Sequence, residues 1–149
     1  MSVYTLLVIV VSGISGTGLM TLFSHLVAKF RNQKFNEAQL LNTFIKNSKL
    51  LPSIDVEKSI LGYIIHYGVG IIIAAMMFWY YKLFGWSLLV WKGVILGITA
   101  WIFGAISWLL LFNKHNNPPN VNVKEFLFQL FFAHCIFGVT TALVMEFLK

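Results

Sequence analysis

Acidic side chains are scarce in this chain: five Asp and Glu stand against eleven Lys and Arg in 149 residues. None of the five lies inside a long apolar run, so there are no paired intramembrane carboxylates for acid–base chemistry and no carboxylate relay for protons. Cysteine is limited to Cys135, within an apolar run, which excludes an intramolecular disulfide and gives no guide to redox compartment. The three prolines, Pro52, Pro118 and Pro119, all fall in polar connections. A Ser/His/Asp order, a phosphate-binding loop and an H-E-x-x-H pattern are absent, and ordinary enzyme chemistry goes with them. The ten-residue segments of alternating polarity that a membrane barrel needs are also absent.

Apolar residues are abundant instead. They make up 58% of the chain, with a mean hydropathy of +0.80, whereas an ordinary soluble domain has roughly 45–50%. Four runs carry this excess: Val3–Ala28, Ile60–Tyr81, Leu88–Phe112 and Phe126–Met145. Each is near or above the ~20 residues that cross a ~30 Å hydrocarbon core as a helix. The expected fold is a single all-α domain, an antiparallel four-helix transmembrane bundle with helices over 3–29, 56–83, 87–113 and 123–147. A cleaved signal peptide does not describe the first run, which lacks a basic n-region, is too long, and is followed rather than preceded by its basic residues.

The net charge of +6 is a topology signal rather than a nucleic-acid footprint. Lys29, Arg31, Lys34, Lys46, Lys49 and Lys58 border or lie in the first connection, and Lys114 and Lys124 flank the third. The opposite side has Lys82, Lys92 and Lys149, with Lys92 one turn inside its run and able to reach the headgroups. The positive-inside rule therefore puts connections 30–59 and 113–124 in the cytoplasm and both termini outside. The basic Lys29–Lys58 connection is expected to attract anionic headgroups.

Within that connection, Asn36 and Gln39 form a capping-box pattern. A short amphipathic helix is expected over 36–48, with Ala38, Leu41, Phe44 and Ile45 on its apolar stripe and Asn42, Lys46 and Lys49 opposite. It lies either on the membrane surface or over the end of the bundle, since both bury the same stripe. Asp55 and Glu57 suit the first turn of the second long helix. That helix and the third, joined by a tight turn at Gly85 between aromatic belts, are expected to form a close hairpin. Gly13 and Gly16 lie in the small-residue cluster of the first run, and Gly93, Gly97 and Gly104 in a stripe of the third with Ala100 and Ser107. Small residues at these spacings let helix backbones approach, and packing is their expected role.

His66-x₃-Gly70-x₃-Ala74-x₂-Met77 reappears 68 residues later as His134-x₃-Gly138-x₃-Ala142-x₂-Met145. A duplicated two-helix unit returns the chain to its starting side, so the copies would be related by an axis along the membrane normal. His66 and His134 then sit at similar depths, and His25 lies nearer the same surface. The first expectation for these three is a buried polar seam in which neutral imidazoles bond Ser, Thr or carbonyl groups of neighbours. An alternative is a b-type haem held by His66 and His134, with Gly70 and Gly138 making room for the porphyrin. A metal site lacks a nearby carboxylate or second thiolate, and a proton path lacks buried acids, so no metal is expected.

The small-residue first helix (Gly16-Thr17-x₂-Met20-Thr21) together with the repeated His-x₃-Gly helices resembles small four-helix bacterial membrane families of unknown function, YagU-like in general layout. The resemblance implies a bacterial inner-membrane location and the bundle fold, and no catalytic residues. The leading functional expectation is a non-enzymatic accessory or scaffold protein, without a cofactor, that associates with itself or with a larger membrane complex through its Gly-rich faces. Binding of haem b or another ligand at His66 and His134 is the runner-up, and ion or proton transport comes third.

Overall fold

A computed structural model describes residues 2–48, 58–85 and 89–149. It contains five helices: α1 (Val3–Arg31), α2 (Glu37–Asn47), α3 (Leu61–Phe84), α4 (Leu89–Lys114) and α5 (Val123–Phe147), with no strand among the described residues. Four of them, α1, α3, α4 and α5, are long and apolar enough to cross a membrane. Their ends are set locally. The Ser2 hydroxyl accepts from Thr5 N–H to start α1, and Asn32 closes it in the left-handed region at φ 50°. Asn122 starts α5 by accepting from Glu125 N–H, and Gly85 at φ 81° ends α3 in a region open mainly to glycine.

Around the bundle the order is α3, α1, α5, α4, with consecutive members packed along their lengths. Glycine faces set each contact. A Cβ on Gly13 would lie 2.8 Å from the Ile71 backbone, and Gly70 in turn abuts Thr17. Gly16 sits against Phe137 and Thr141, joining α1 to α5. At the α4–α5 crossing, Gly93 and Gly97 face Gly138, where an added Cβ would meet Gly97 Cα at 2.9 Å. In every pair the residue numbers of one helix rise as those of the other fall, so neighbours run antiparallel. The middle helices are the buried ones: 44% of the apolar window is buried in α1 and in α5, against 22% in α3 and 17% in α4.

The expected close α3–α4 hairpin is not what forms. These two consecutive helices do not pack along their lengths; they stand apart across a cleft. At one end Lys92 holds them together by donating to the carbonyls of Phe84 (3.1 Å) and Gly85 (2.7 Å). Lys92 thus serves the unpaired carbonyls at the C-terminus of α3.

At the other end α2 bridges the gap. Its Asn36 cap forms as expected, with the side chain accepting from Gln39 N–H at 3.1 Å. The helix packs over the end of the bundle, burying Ala38, Leu40 and Phe44. Phe44 meets Trp108 and Phe112 of α4 at centroid distances of 6.0 and 5.1 Å, and Trp108 stacks edge-on to Phe126 of α5. Asn42, expected on the polar face, is fully buried. Its amide donates to Ser59 O (2.8 Å) and its oxygen accepts from Gly62 N–H (2.7 Å), so it caps α3 from outside that helix. Ile60 provides no side-chain cap, Ser59 Oγ accepts from Leu61 N–H at 3.3 Å, and α3 begins at Leu61 rather than near 56. Asp55 and Glu57, expected in its first turn, lie outside the described residues, as does Lys49.

Glycines on outward faces carry no such constraint. A Cβ on Gly68 would have nothing within 4 Å. Gly68→Ala is therefore expected to be neutral or to stabilise by roughly 0.5–1 kcal/mol through helix propensity. Thermal unfolding in detergent would check it, and a clear loss of stability would show that this face is packed.

Candidate functional site

The α3–α4 cleft has a volume of about 600 Å³, in the range of small-molecule sites. Ile65, Val69, Ile73, Met76 and Tyr80 of α3 face Leu96, Phe103 and Leu111 of α4 across it, and Leu41 of α2 lines it at the bundle end. From Ile65 to Tyr80 the groove follows ~22 Å of helix at 1.5 Å per residue. Its lips are exposed: Val69 is 49% and Phe103 67% accessible, so the cleft opens sideways.

Polar groups collect on the inner wall. His66, His134, Thr17 and Glu37 all line the cleft. His66 Nε2 and Thr21 Oγ1 share a 3.2 Å hydrogen bond that ties α3 to α1. His134 Nδ1 lies 2.9 Å from Leu130 O in its own helix. A carbonyl only accepts, so Nδ1 carries the proton and Nε2 of the neutral ring is left as an acceptor. Gly104 makes room for that ring, because a Cβ there would lie 3.1 Å from His134 Nε2.

Glu37 was not anticipated at this site. Its place beside the Asn36 cap marks it as a first-turn residue of α2, and nothing in the local pattern announces burial. Yet it is 1% exposed. Ser24 Oγ donates to its Oε1 at 2.6 Å, and Gln129 Nε2 donates to the same oxygen at 3.4 Å. Burial pushes its carboxyl from the ordinary 4.5 up to about 7, against the opposing pull of those hydrogen bonds. A third chain segment thus brings a carboxyl group to the same cleft, though not into a metal-holding cluster with the two histidines. Glu37 Oε2 and Thr17 Oγ1 are both buried without a hydrogen-bond partner among the described residues.

The other singled-out residues are distributed as follows. His25 is exposed on α1 and does not join His66 and His134 in the cleft; the buried positions of that stretch are Thr17, Met20 and Ser24. Gly70 and Gly138, the space a porphyrin was to occupy, are filled by Thr17 and by the Gly93–Gly97 backbone. Cys135 is half-buried with its backbone against Gly97. No group of three His, Cys, Asp or Glu side chains that could hold a metal ion occurs among the described residues. Ser107 and Thr99 line the cleft but spend their hydroxyl protons on Phe103 O and Ile95 O of their own helix.

Compared with known protein families, with curated proteins and with solved structures, the chain has no match.

Proposed function

We propose that the chain is an integral membrane protein that binds the apolar chain of a lipid-like molecule in the α3–α4 cleft. The observation that carries this reading is a laterally open apolar groove with His66, His134, Thr17 and Glu37 on its inner wall. A groove between two helices that are long and apolar enough to span a membrane would open directly into the acyl-chain region. No covalent chemistry is assigned to it; the protein acts as a binding module. The excess of basic residues around α2 favours a cytoplasmic position for that end, with both termini on the other side. Lys29, Arg31, Lys34 and Lys46 then face the anionic headgroups of that leaflet.

A scaffold role through the Gly-rich faces has less support. Gly13, Gly16, Gly93 and Gly97 are covered by helices of the same chain and offer an external partner no close approach.

The contacts also supply a reason for the cleft if the chain is read as a duplication. Gly13 meets Ala74 and Thr17 meets Gly70 in the α1–α3 pair; Gly93 meets Ala142 and Gly97 meets Gly138 in the α4–α5 pair. The α3 and α5 partners are 68 residues apart and the α1 and α4 partners 80 apart, the difference being taken up in the connections. On that register Gly16, which brings α1 against α5, corresponds to Leu96 of α4. Its counterparts on α3 would be Val69 and Ile73, and all three line the cleft. A leucine stands where the other half has a glycine, and the fourth helix contact stays open.

Filling this position tests the reading. Leu96→Trp is expected to reduce occupancy of a long-chain amphiphile at least ten-fold by native mass spectrometry. Ile95→Trp, on an exposed face at 60% accessibility, is expected to leave it unchanged. Equal loss or equal retention in both variants would contradict binding in the cleft.

A further inference from the structure

Resting on the reading that the cleft takes an apolar chain, we infer that its ligand has a head that donates hydrogen bonds, such as a long-chain alcohol or amine, and not an acceptor-only ester or ether.

The inner wall selects for this. Each cleft-lining polar group whose hydrogen-bond direction is settled presents an acceptor. His134 has committed its Nδ1 proton to Leu130 O, so its free ring nitrogen accepts. Glu37 receives the Ser24 hydroxyl on Oε1 and leaves Oε2 without a partner, and above its titration at about 7 the ionised Oε2 can only accept. Thr99 and Ser107 have given their hydroxyl protons to their own helix. Thr17 Oγ1, 1% exposed and unpartnered, adds a further site. A buried acceptor without a donor is costly, and a ligand supplying that donor recovers the cost on binding.

The same arrangement solves a problem of selectivity. Acyl chains surround such a groove on every side, and one chain fits an apolar cleft much like another. Ester and phosphate groups are hydrogen-bond acceptors, and a phosphatidylcholine, whose head has no N–H or O–H, would leave Glu37 Oε2 and His134 Nε2 unpaired. A fatty acid anion would add repulsion from Glu37. A hydroxyl or ammonium group satisfies the wall, and sites that pair a buried polar group with one ligand group reject analogues lacking it strongly.

The experiment compares hexadecan-1-ol with hexadecyl methyl ether, which share a chain and differ in the head proton, by native mass spectrometry of the full chain in nanodiscs at pH 8.5, where Glu37 is ionised. The alcohol is expected to bind at least ten-fold more tightly. In Glu37→Gln the amide oxygen can still accept from Ser24 and Gln129, which places an N–H donor where Oε2 was. The preference should then vanish or reverse in favour of the ether. Thr17→Val, which keeps the shape and removes the hydroxyl, is expected to shrink the preference and serves if the glutamine variant does not fold. Equal binding of both probes by the unaltered chain would overturn the head assignment and leave the chain-binding reading standing. Binding of neither would remove both. A preference that persists unchanged in both variants would overturn the assignment to these atoms.

Discussion

Replacing Gly138 with leucine is expected to destabilise the protein by about 3 kcal/mol or more, the top of the range for overpacking a close contact. The reason is what surrounds the position. A Cβ alone would lie 2.9 Å from both the Cα and the N of Gly97, with the Gly93 carbonyl oxygen closer still. These are backbone atoms of a regular helix and cannot swing aside as a side chain can. An isobutyl group would have to push α4 away from α5 and open the contact that holds α4 to the rest of the bundle. Gly70→Ala provides the graded comparison, because its obstacle is the Thr17 side chain, which can rotate. The expected order of loss is Gly138→Leu, then Gly70→Ala, with Gly68→Ala near zero. Unfolding titrations in mixed detergent, followed by circular dichroism, would establish the order. A Gly138→Leu protein as stable as Gly68→Ala would mean that α4 and α5 do not cross there.

Stability should also fall as pH rises through neutrality, and Glu37 should be a major cause. Its carboxyl titrates at about 7 in the folded chain against an ordinary 4.5, because burial disfavours the charged form more than Ser24 and Gln129 favour it. The folded state therefore binds this proton more tightly than the unfolded state does. The stabilisation is fully present below about 4.5 and is lost as pH climbs through about 7. A separation of that size corresponds to roughly 3 kcal/mol at most, at 1.36 kcal/mol per unit. Other charges near this end of the bundle include the exposed Arg31–Glu125 ion pair at 3.2 Å, and His66 and His134 share the cleft. Glu37→Gln isolates the carboxyl: between pH 5 and 8 its melting temperature should decline less than that of the unaltered chain. Parallel curves for the two proteins would assign the pH dependence to other groups.

The long helices are legible in the sequence because length and hydropathy act within each segment and need no partner. Asn36 is legible for the same reason, since a cap is a contact between residues three apart. The departures concern residues whose roles are decided elsewhere in the chain. Asn42 has the pattern of a solvent-facing position on α2, and only the start of α3 beside it, where Gly62 N–H needs an acceptor, makes burial favourable. Glu37 looks like a first-turn acid, and becomes a buried one because Ser24 and Gln129 converge on it from α1 and α5. The α3–α4 pair looks like a hairpin because the connection is short. Whether two joined helices touch along their length depends on their facing side chains, and here Leu96 stands across the cleft from Val69 and Ile73. His66 and His134 stand out through their repeated spacing and do line one cleft; His25 shares their residue type and none of their surroundings.

The central claim is that α3 and α4 stand apart and admit a single apolar chain from the side. Photolabelling in lipid nanodiscs tests it most directly, using hexadecan-1-ol with a diazirine at mid-chain and mapping the modified residues by peptide mass spectrometry. The expected labels fall on Val69, Ile73, Met76, Leu96 and Phe103, and Leu96→Trp abolishes them. Labelling confined to outward residues such as Ile72, Ile95 and Ile102, unchanged by Leu96→Trp, would contradict it.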